Sequence, residues 1–116
     1  MPLAAALALG LVACGSSRGG SGQIHEGPGG PDAVKVVMED SRFEPDPLRL
    51  PAGTKVTVGL TNEGDENHNF TIDALHLPTG TMASGDGVSA TFTVPTGSTE
   101  FHCTFHPGMD GTITGT

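Results

Sequence analysis

The sequence predicts an all-β fold, a Greek-key β-sandwich of about seven to eight strands. From Ala33 onward, β-branched residues recur in short runs that Gly, Pro and Asn separate, a pattern typical of strands joined by turns. No stretch of the sequence has sustained helical periodicity. The length of 116 residues suits one domain plus a tail, and a net charge of -8 argues against nucleic acid as a partner.

The candidate strands are bounded by turn signals such as Pro51-Ala52-Gly53 and Pro95-Thr96-Gly97. They span residues 33–38, 48–50, 54–60, 68–73, 88–94, 98–103 and 111–115. Strict alternation predicts an inward face made by Val56, Val58, Leu60, Val88, Ala90, Phe92 and Val94. It predicts an outward face made by Thr57, Ser89, Thr91 and Thr93. The irregular segment 74–87 is expected to be a loop or a short helix.

The N-terminus carries an apolar run over residues 3–13 that is too short to span a bilayer and ends at Cys14. Its last residues, Leu-Val-Ala-Cys, resemble a bacterial lipobox, which implies a signal peptide over 1–14 and a diacylglyceryl anchor on Cys14. Residues 15–31, rich in Gly, Ser and Pro, are expected to form a flexible tether in which His25 is solvated. The folded domain is then expected over 32–116, held at the outer face of the cytoplasmic membrane.

The segment from Phe101 to Met109 offers a thiolate, an imidazole and a thioether at the spacing Cys103-x2-His106-x2-Met109. Soft sulfur together with imidazole suits copper in both oxidation states. A trigonal set of two His and one Cys with a long axial Met describes a blue-copper site. The spacing therefore predicts a copper site that needs one more histidine.

His68 is the best candidate for that histidine, because strand parity places it on the same face as Phe70 and Ile72. Cys103 shares its parity with Phe101 and is likewise expected to point inward. Three other interpretations stay open: an inert buried cysteine, a Cys14–Cys103 disulfide, and a structural zinc site, for which Met is a poor ligand.

Residues 40–45, 50–54, 68–70 and 101–109 resemble the cupredoxins, the family of plastocyanin, azurin and amicyanin, and the short ligand loop is most similar to that of amicyanin. The resemblance covers almost all of 33–116. It implies His68, Cys103 and His106 as equatorial ligands of one copper ion and Met109 as the axial ligand. It also implies that Asn69 ties its loop to the ligand loop near Thr104 and directs its N–H toward the sulfur.

The resemblance further implies a monomeric electron carrier, not an enzyme, with redox proteins as partners. His106 would be the route by which electrons leave the copper site. It would lie inside an apolar patch formed by Phe105, Pro107 and either Leu75 or Leu77. The acidic segment 63–66 either orients a partner protein that has a basic docking surface or is simply a solvated loop. The alternative function is extracytoplasmic copper binding or delivery.

Phe105 stands where amicyanin and plastocyanin commonly have Pro, and its N–H is expected to raise the reduction potential.

Overall fold

The computed structural model describes residues 22–116 as two five-stranded β-sheets packed face to face. The strands are β1 (Gln23–Glu26), β2 (Val34–Met38), β3 (Phe43–Glu44), β4 (Leu48–Leu50), β5 (Lys55–Asn62), β6 (Thr71–Ile72), β7 (Leu77–Pro78), β8 (Gly87–Thr93), β9 (Gly97–His102) and β10 (Asp110–Gly115). One 3₁₀ turn, Asp73–Leu75, lies between β6 and β7. The predicted β-sandwich is confirmed.

The strand order is β1-β8-β5-β2-β3 in the first sheet and β4-β10-β9-β6-β7 in the second. Most neighbours are antiparallel, but β2 pairs with β5 and β4 pairs with β10 in parallel. The inward side chains of both sheets make one core. At its centre the rings of Phe43, Phe70 and Phe101 lie 4.7 to 5.8 Å apart between centroids. Each buried ring stabilises the fold by about 1.5–3 kcal/mol.

Three short strands were not predicted from the sequence, namely β1, β3 and β7. They contain two to four residues each, too few for an alternating pattern to be recognised. The predicted strand over 68–73 is also shorter, because regular pairing is limited to Thr71–Ile72. Just before it, Phe70 donates its N–H to the Thr79 hydroxyl instead of to a strand partner.

The N-terminal boundary of the domain differs from the sequence expectation. Strand β1 lies inside the segment predicted to be a tether, where it pairs with β8 and remains exposed along its whole length. After it, the chain crosses the outer face of the first sheet, so that a side chain at Gly59 would collide with the Pro28 carbonyl. The same segment covers Ser89, which faces outward as predicted but is only 4% exposed. Paired strand structure therefore begins before residue 32.

Strand β1 gave no signal in the sequence because it contributes backbone pairing and no buried side chain. The predicted signal peptide, its lipidation site Cys14 and the first part of the tether lie outside the described residues. Among residues 22–116, no helix has the length and apolar composition that crossing a membrane requires.

Candidate metal centre

The ligand loop connects β9 to β10 and is closed by its own backbone. His102 and Asp110 are register partners in the two strands, so the next residue, Cys103, faces Met109 across the loop. The Cys103 N–H donates to the Met109 carbonyl at 2.9 Å, and the Met109 N–H donates to the His106 carbonyl at 3.0 Å. Gly108 supplies the turn with a φ of +86°, a conformation that favours glycine. A seven-residue loop thus holds three of the four predicted ligands.

His68 is brought to this loop by a separate pairing. Its N–H donates to the Met82 carbonyl at 3.0 Å, and the Met82 N–H donates back to the His68 carbonyl at 2.8 Å. This isolated antiparallel bridge fixes the backbone just before β6. The His68 side chain is fully buried, as is that of Met82.

The side chains of His68, Cys103 and His106 converge, and their possible ligand atoms all lie within 4.8 Å of one another. Cys103 Sγ is 3.8 Å from His68 Nδ1. The two imidazole rings lie 4.8 Å apart between centroids with an interplanar angle of 65°. Met109 is 2% exposed and is placed beside Cys103 by the backbone hydrogen bond between them. The structure thus brings all four predicted ligand residues to one end of the sandwich.

The three converging residues differ in their access to solvent. His68 is 0% and Cys103 3% exposed, whereas the His106 side chain is 27% exposed. Burial lowers the pKa of His68 below its ordinary value, and the neighbouring His106 lowers it further. The Glu39 backbone, which approaches the ring without reaching hydrogen-bond geometry, and the Glu66 and Asp40 carboxylates act in the opposite direction. The net effect favours a neutral imidazole, the form that binds a metal.

Asn69 links the two segments of the site. Its side-chain Nδ2 donates to Thr104 Oγ1 at 2.7 Å, and its Oδ1 accepts the Thr104 backbone N–H at 2.9 Å. The Thr71 hydroxyl donates to the same Oδ1 at 3.3 Å. The residue after His68 is therefore hydrogen-bonded to the residue after Cys103, through both polar atoms of the Asn69 side-chain amide.

The other predicted residues occupy varied positions around the site. Phe105 is 46% exposed next to His106, and Pro107 is exposed as well. Leu77, a candidate for the apolar docking patch, is instead buried in the core at 2% exposure, because its strand pairs with β6 and directs the side chain inward. Leu75 is half-buried against the core.

Two further histidines, His76 and His102, lie outside the cluster. His102 Nε2 pairs with Asp73 Oδ2 at 3.1 Å on the outer side of β9. His76 is exposed at the end of the 3₁₀ turn, with a φ of +51°. Neither belongs to the group of converging ligand atoms.

Sequence reasoning missed Asn62, a buried hydrogen-bonding residue beside the site. Its Nδ2 donates to the Glu66 and Met82 carbonyls, both at 2.8 Å, and its Oδ1 accepts the Gly64 N–H at 2.9 Å. The signal was present in the sequence, because Asn62 continues the inward parity of Val58 and Leu60. A polar residue at an inward position predicts a buried hydrogen-bond network.

Residues 3–114 match the family described as the cupredoxin-like domain. This chain belongs to that family. Solved structures of amicyanin variants are similar to this cupredoxin over 83% of its length and 99% of theirs. A reduced tryptophan-to-tyrosine variant is 23% identical with a TM-score of 0.69. An oxidised methionine-to-lysine variant is 24% identical (TM-score 0.67), and a reduced proline-to-phenylalanine variant is 25% identical (TM-score 0.66). No curated protein sequence matches the chain.

The donor set of this cupredoxin fits a single copper ion. One thiolate and two imidazoles within 4.8 Å supply the soft and borderline ligands that both copper oxidation states accept. Met109, buried and joined to Cys103 by a backbone hydrogen bond, offers a thioether that suits copper and is a poor ligand for zinc. His68 Nε2 is buried and lacks a hydrogen-bond partner among residues 22–116, while Nδ1 faces the sulfur. The cofactor predicted from the sequence, one copper ion, agrees with the family and with this geometry.

Proposed function

We propose that this cupredoxin is a type 1 copper protein that carries single electrons between redox proteins outside the cytoplasmic membrane. The observation that carries the proposal is the convergence of His68, Cys103 and His106 beside a buried Met109. Copper bound by such a set exchanges one electron between Cu(I) and Cu(II). Because the four side chains would fill the inner coordination positions, we propose a carrier and not an enzyme.

The protein's part in electron transfer is to keep the ligands still. His68 is fixed by its backbone bridge to Met82, and Cys103 by its hydrogen bond to the Met109 carbonyl. Asn69 connects the two segments through two hydrogen bonds to Thr104. Ligands held in this way need little rearrangement when the charge of the site changes, which favours fast exchange.

The surface around His106 is the proposed contact for redox partners. His106 is the converging ligand that reaches solvent, with 27% of its side chain exposed. The exposed Phe105 and Pro107 flank it and form an apolar patch suited to a transient protein contact. Glu66 lies 3.4 Å from His106 Nε2, and Glu63 and Asp65 are exposed in the same loop, so we propose that a partner presents a basic surface here.

Membrane anchoring is a separate proposal that rests on the sequence. The lipobox-like ending at Cys14 supports lipidation and export. Replacing Cys14 by Ser should move the copper-binding domain from the membrane fraction to the soluble extracytoplasmic fraction. Retention of the variant in the membrane fraction would contradict the anchor without affecting the proposal for the copper site.

The test of the electron-carrier proposal is to add Cu(II) to the purified protein and record its visible spectrum. We expect an intense blue charge-transfer band that reductant bleaches and oxidant restores. Cys103→Ser should abolish the band, whereas His76→Gln, which changes an exposed histidine outside the cluster, should leave it intact. A colourless complex, or a blue band that Cys103→Ser does not change, would overturn the proposal. The colourless complex would favour copper delivery.

A further inference from the structure

The outer nitrogen of His106 already has protein partners. Its Nε2 lies 3.2 Å from the Asn67 backbone carbonyl oxygen and 3.4 Å from Glu66 Oε1. A carbonyl oxygen can only accept, so Nε2 carries the hydrogen and donates it. The lone pair of the neutral ring is then on Nδ1, the nitrogen left for the metal.

The two acceptors sit on a segment whose position does not depend on His106. Asn62, which is fully buried, donates to the Glu66 carbonyl at 2.8 Å and accepts the Gly64 N–H at 2.9 Å. The Asp65 N–H donates to Asp40 Oδ1 at 2.7 Å. The backbone of residues 62–67 is therefore held by the core and by the neighbouring loop, so the Asn67 carbonyl offers His106 a fixed acceptor.

We propose that Glu66 and the Asn67 carbonyl are positioning groups that set the tautomer of His106 and strengthen its Nδ1 as a copper ligand. The inference rests on the proposed function. A hydrogen bond from the distal ring nitrogen to a carboxylate raises the basicity of a ligating histidine and fixes its orientation. The negative charge also favours the more positive Cu(II). Glu66 therefore lowers the reduction potential of the site.

The proposal separates Glu66 from the other acidic residues of its loop. Within the described part of the chain, Glu66 is the acidic residue whose carboxylate lies within 4.0 Å of a ligand ring nitrogen. Glu63 and Asp65 are exposed and have no such contact. The acidic segment considered above for partner steering thus contains one residue whose carboxylate, although 64% exposed, also contacts a ligand ring.

The experiment compares Glu66→Gln with Glu63→Gln in the copper-loaded protein, at one pH and one ionic strength. Both variants remove one negative charge from the same loop, so general electrostatics affects both. We expect Glu66→Gln to raise the reduction potential, which corresponds to a decrease of about two- to fivefold in the preference for Cu(II) over Cu(I), the scale of an exposed charged pair. Glu63→Gln should give less than half of that effect.

A second measurement uses the metal-free protein. Nitrogen-15 NMR of the neutral His106 ring should show the Nε2–H tautomer in the wild type, and Glu66→Gln, which keeps the Asn67 carbonyl as an acceptor, should retain it. Asn67→Ala keeps the backbone carbonyl and should resemble the wild type. Equal potential shifts in the two glutamine variants, or a wild-type His106 ring in the Nδ1–H tautomer, would overturn the inference. A wild-type protein without a blue band would instead overturn the proposed function, and the tautomer measurement would still decide the positioning role.

Discussion

The two histidines of the site lie in regions of opposite character. His68 lies on a backbone bridge to Met82 and is fully buried, and its Nε2 has no hydrogen-bond partner in the described structure. His106 lies on a loop, is 27% exposed, and its Nε2 has two acceptors. The first region is held mainly through its backbone. The second is closed by its own backbone and has, in addition, contacts from the His106 side chain to Asn67 and Glu66.

This difference shows how one site can be both rigid and accessible. The buried histidine excludes water and keeps the thiolate in an apolar environment, while the loop histidine reaches the surface where a partner can approach. Asn69 connects the regions by bonding Thr104 through both of its side-chain polar atoms. The four predictions that follow test this division of roles.

The largest effect is expected from removing each ring and adding imidazole in solution. His106→Gly and His68→Gly should both abolish the blue band of the copper-loaded protein, because each removes an equatorial ligand. Added imidazole should restore the band in His106→Gly, since that position opens to solvent and the backbone carbonyl that accepts the Met109 N–H remains. It should fail to do so in His68→Gly, where the ring is enclosed. Equal recovery in a spectroscopic titration would contradict the contrast.

The next largest effect is expected on stability, at Asn62, the buried residue that bonds to both histidine regions. Asn62→Ala should lower the free energy of unfolding by about 2–4 kcal/mol, because it removes the partner of the Gly64 N–H and of the Glu66 carbonyl and one of the two donors to the Met82 carbonyl. Urea unfolding of the metal-free protein measures the change. Asn67→Ala, an exposed side chain nearby, is the control and should stay within about 0.5 kcal/mol of the wild type. A small loss in Asn62→Ala would show that the network adds little.

Much of the site was predictable because three ligands lie within seven residues. The Cys103-x2-His106-x2-Met109 spacing is local, and parity pointed to His68. The roles of Glu66 and Asn67 were not predictable, because they depend on how a loop between β5 and β6 meets the loop after β9. In the fold, strands with buried alternating side chains were found from sequence. Strand β1, exposed throughout, was missed because backbone pairing leaves no hydrophobic pattern.

The buried histidine should also make the metal-free protein sensitive to pH. The pKa of His68 is lowered in the folded state, chiefly by burial, so below about 6.5 the unfolded chain binds a proton that the folded chain does not. Stability should therefore be fully present above that pH and decrease as the pH falls toward the folded-state pKa, by up to about 1.4 kcal/mol per pH unit.

The measurement for this prediction is urea unfolding of the metal-free protein at several pH values between about 7 and 5. His68→Leu should remove the part of the slope due to this residue. His76→Gln, which changes an exposed side chain, should keep the part of the slope that is due to His68. A wild-type slope that persists in His68→Leu would assign the pH dependence to other groups.

The smallest effect is expected at Phe105, the residue just before His106. Its backbone N–H has no carbonyl partner among the described residues. Donation of this N–H toward the Cys103 thiolate would withdraw charge from sulfur and favour Cu(I). Phe105→Pro removes the donor and should lower the reduction potential by roughly 40 mV, the equivalent of about 1 kcal/mol for one electron. Phe105→Leu keeps the N–H while removing the ring, so protein-film voltammetry should find it near the wild type. A reduction potential that rises or stays unchanged in Phe105→Pro would contradict this role of the Phe105 N–H. Glu66 would then be the remaining residue proposed to tune the potential near His106.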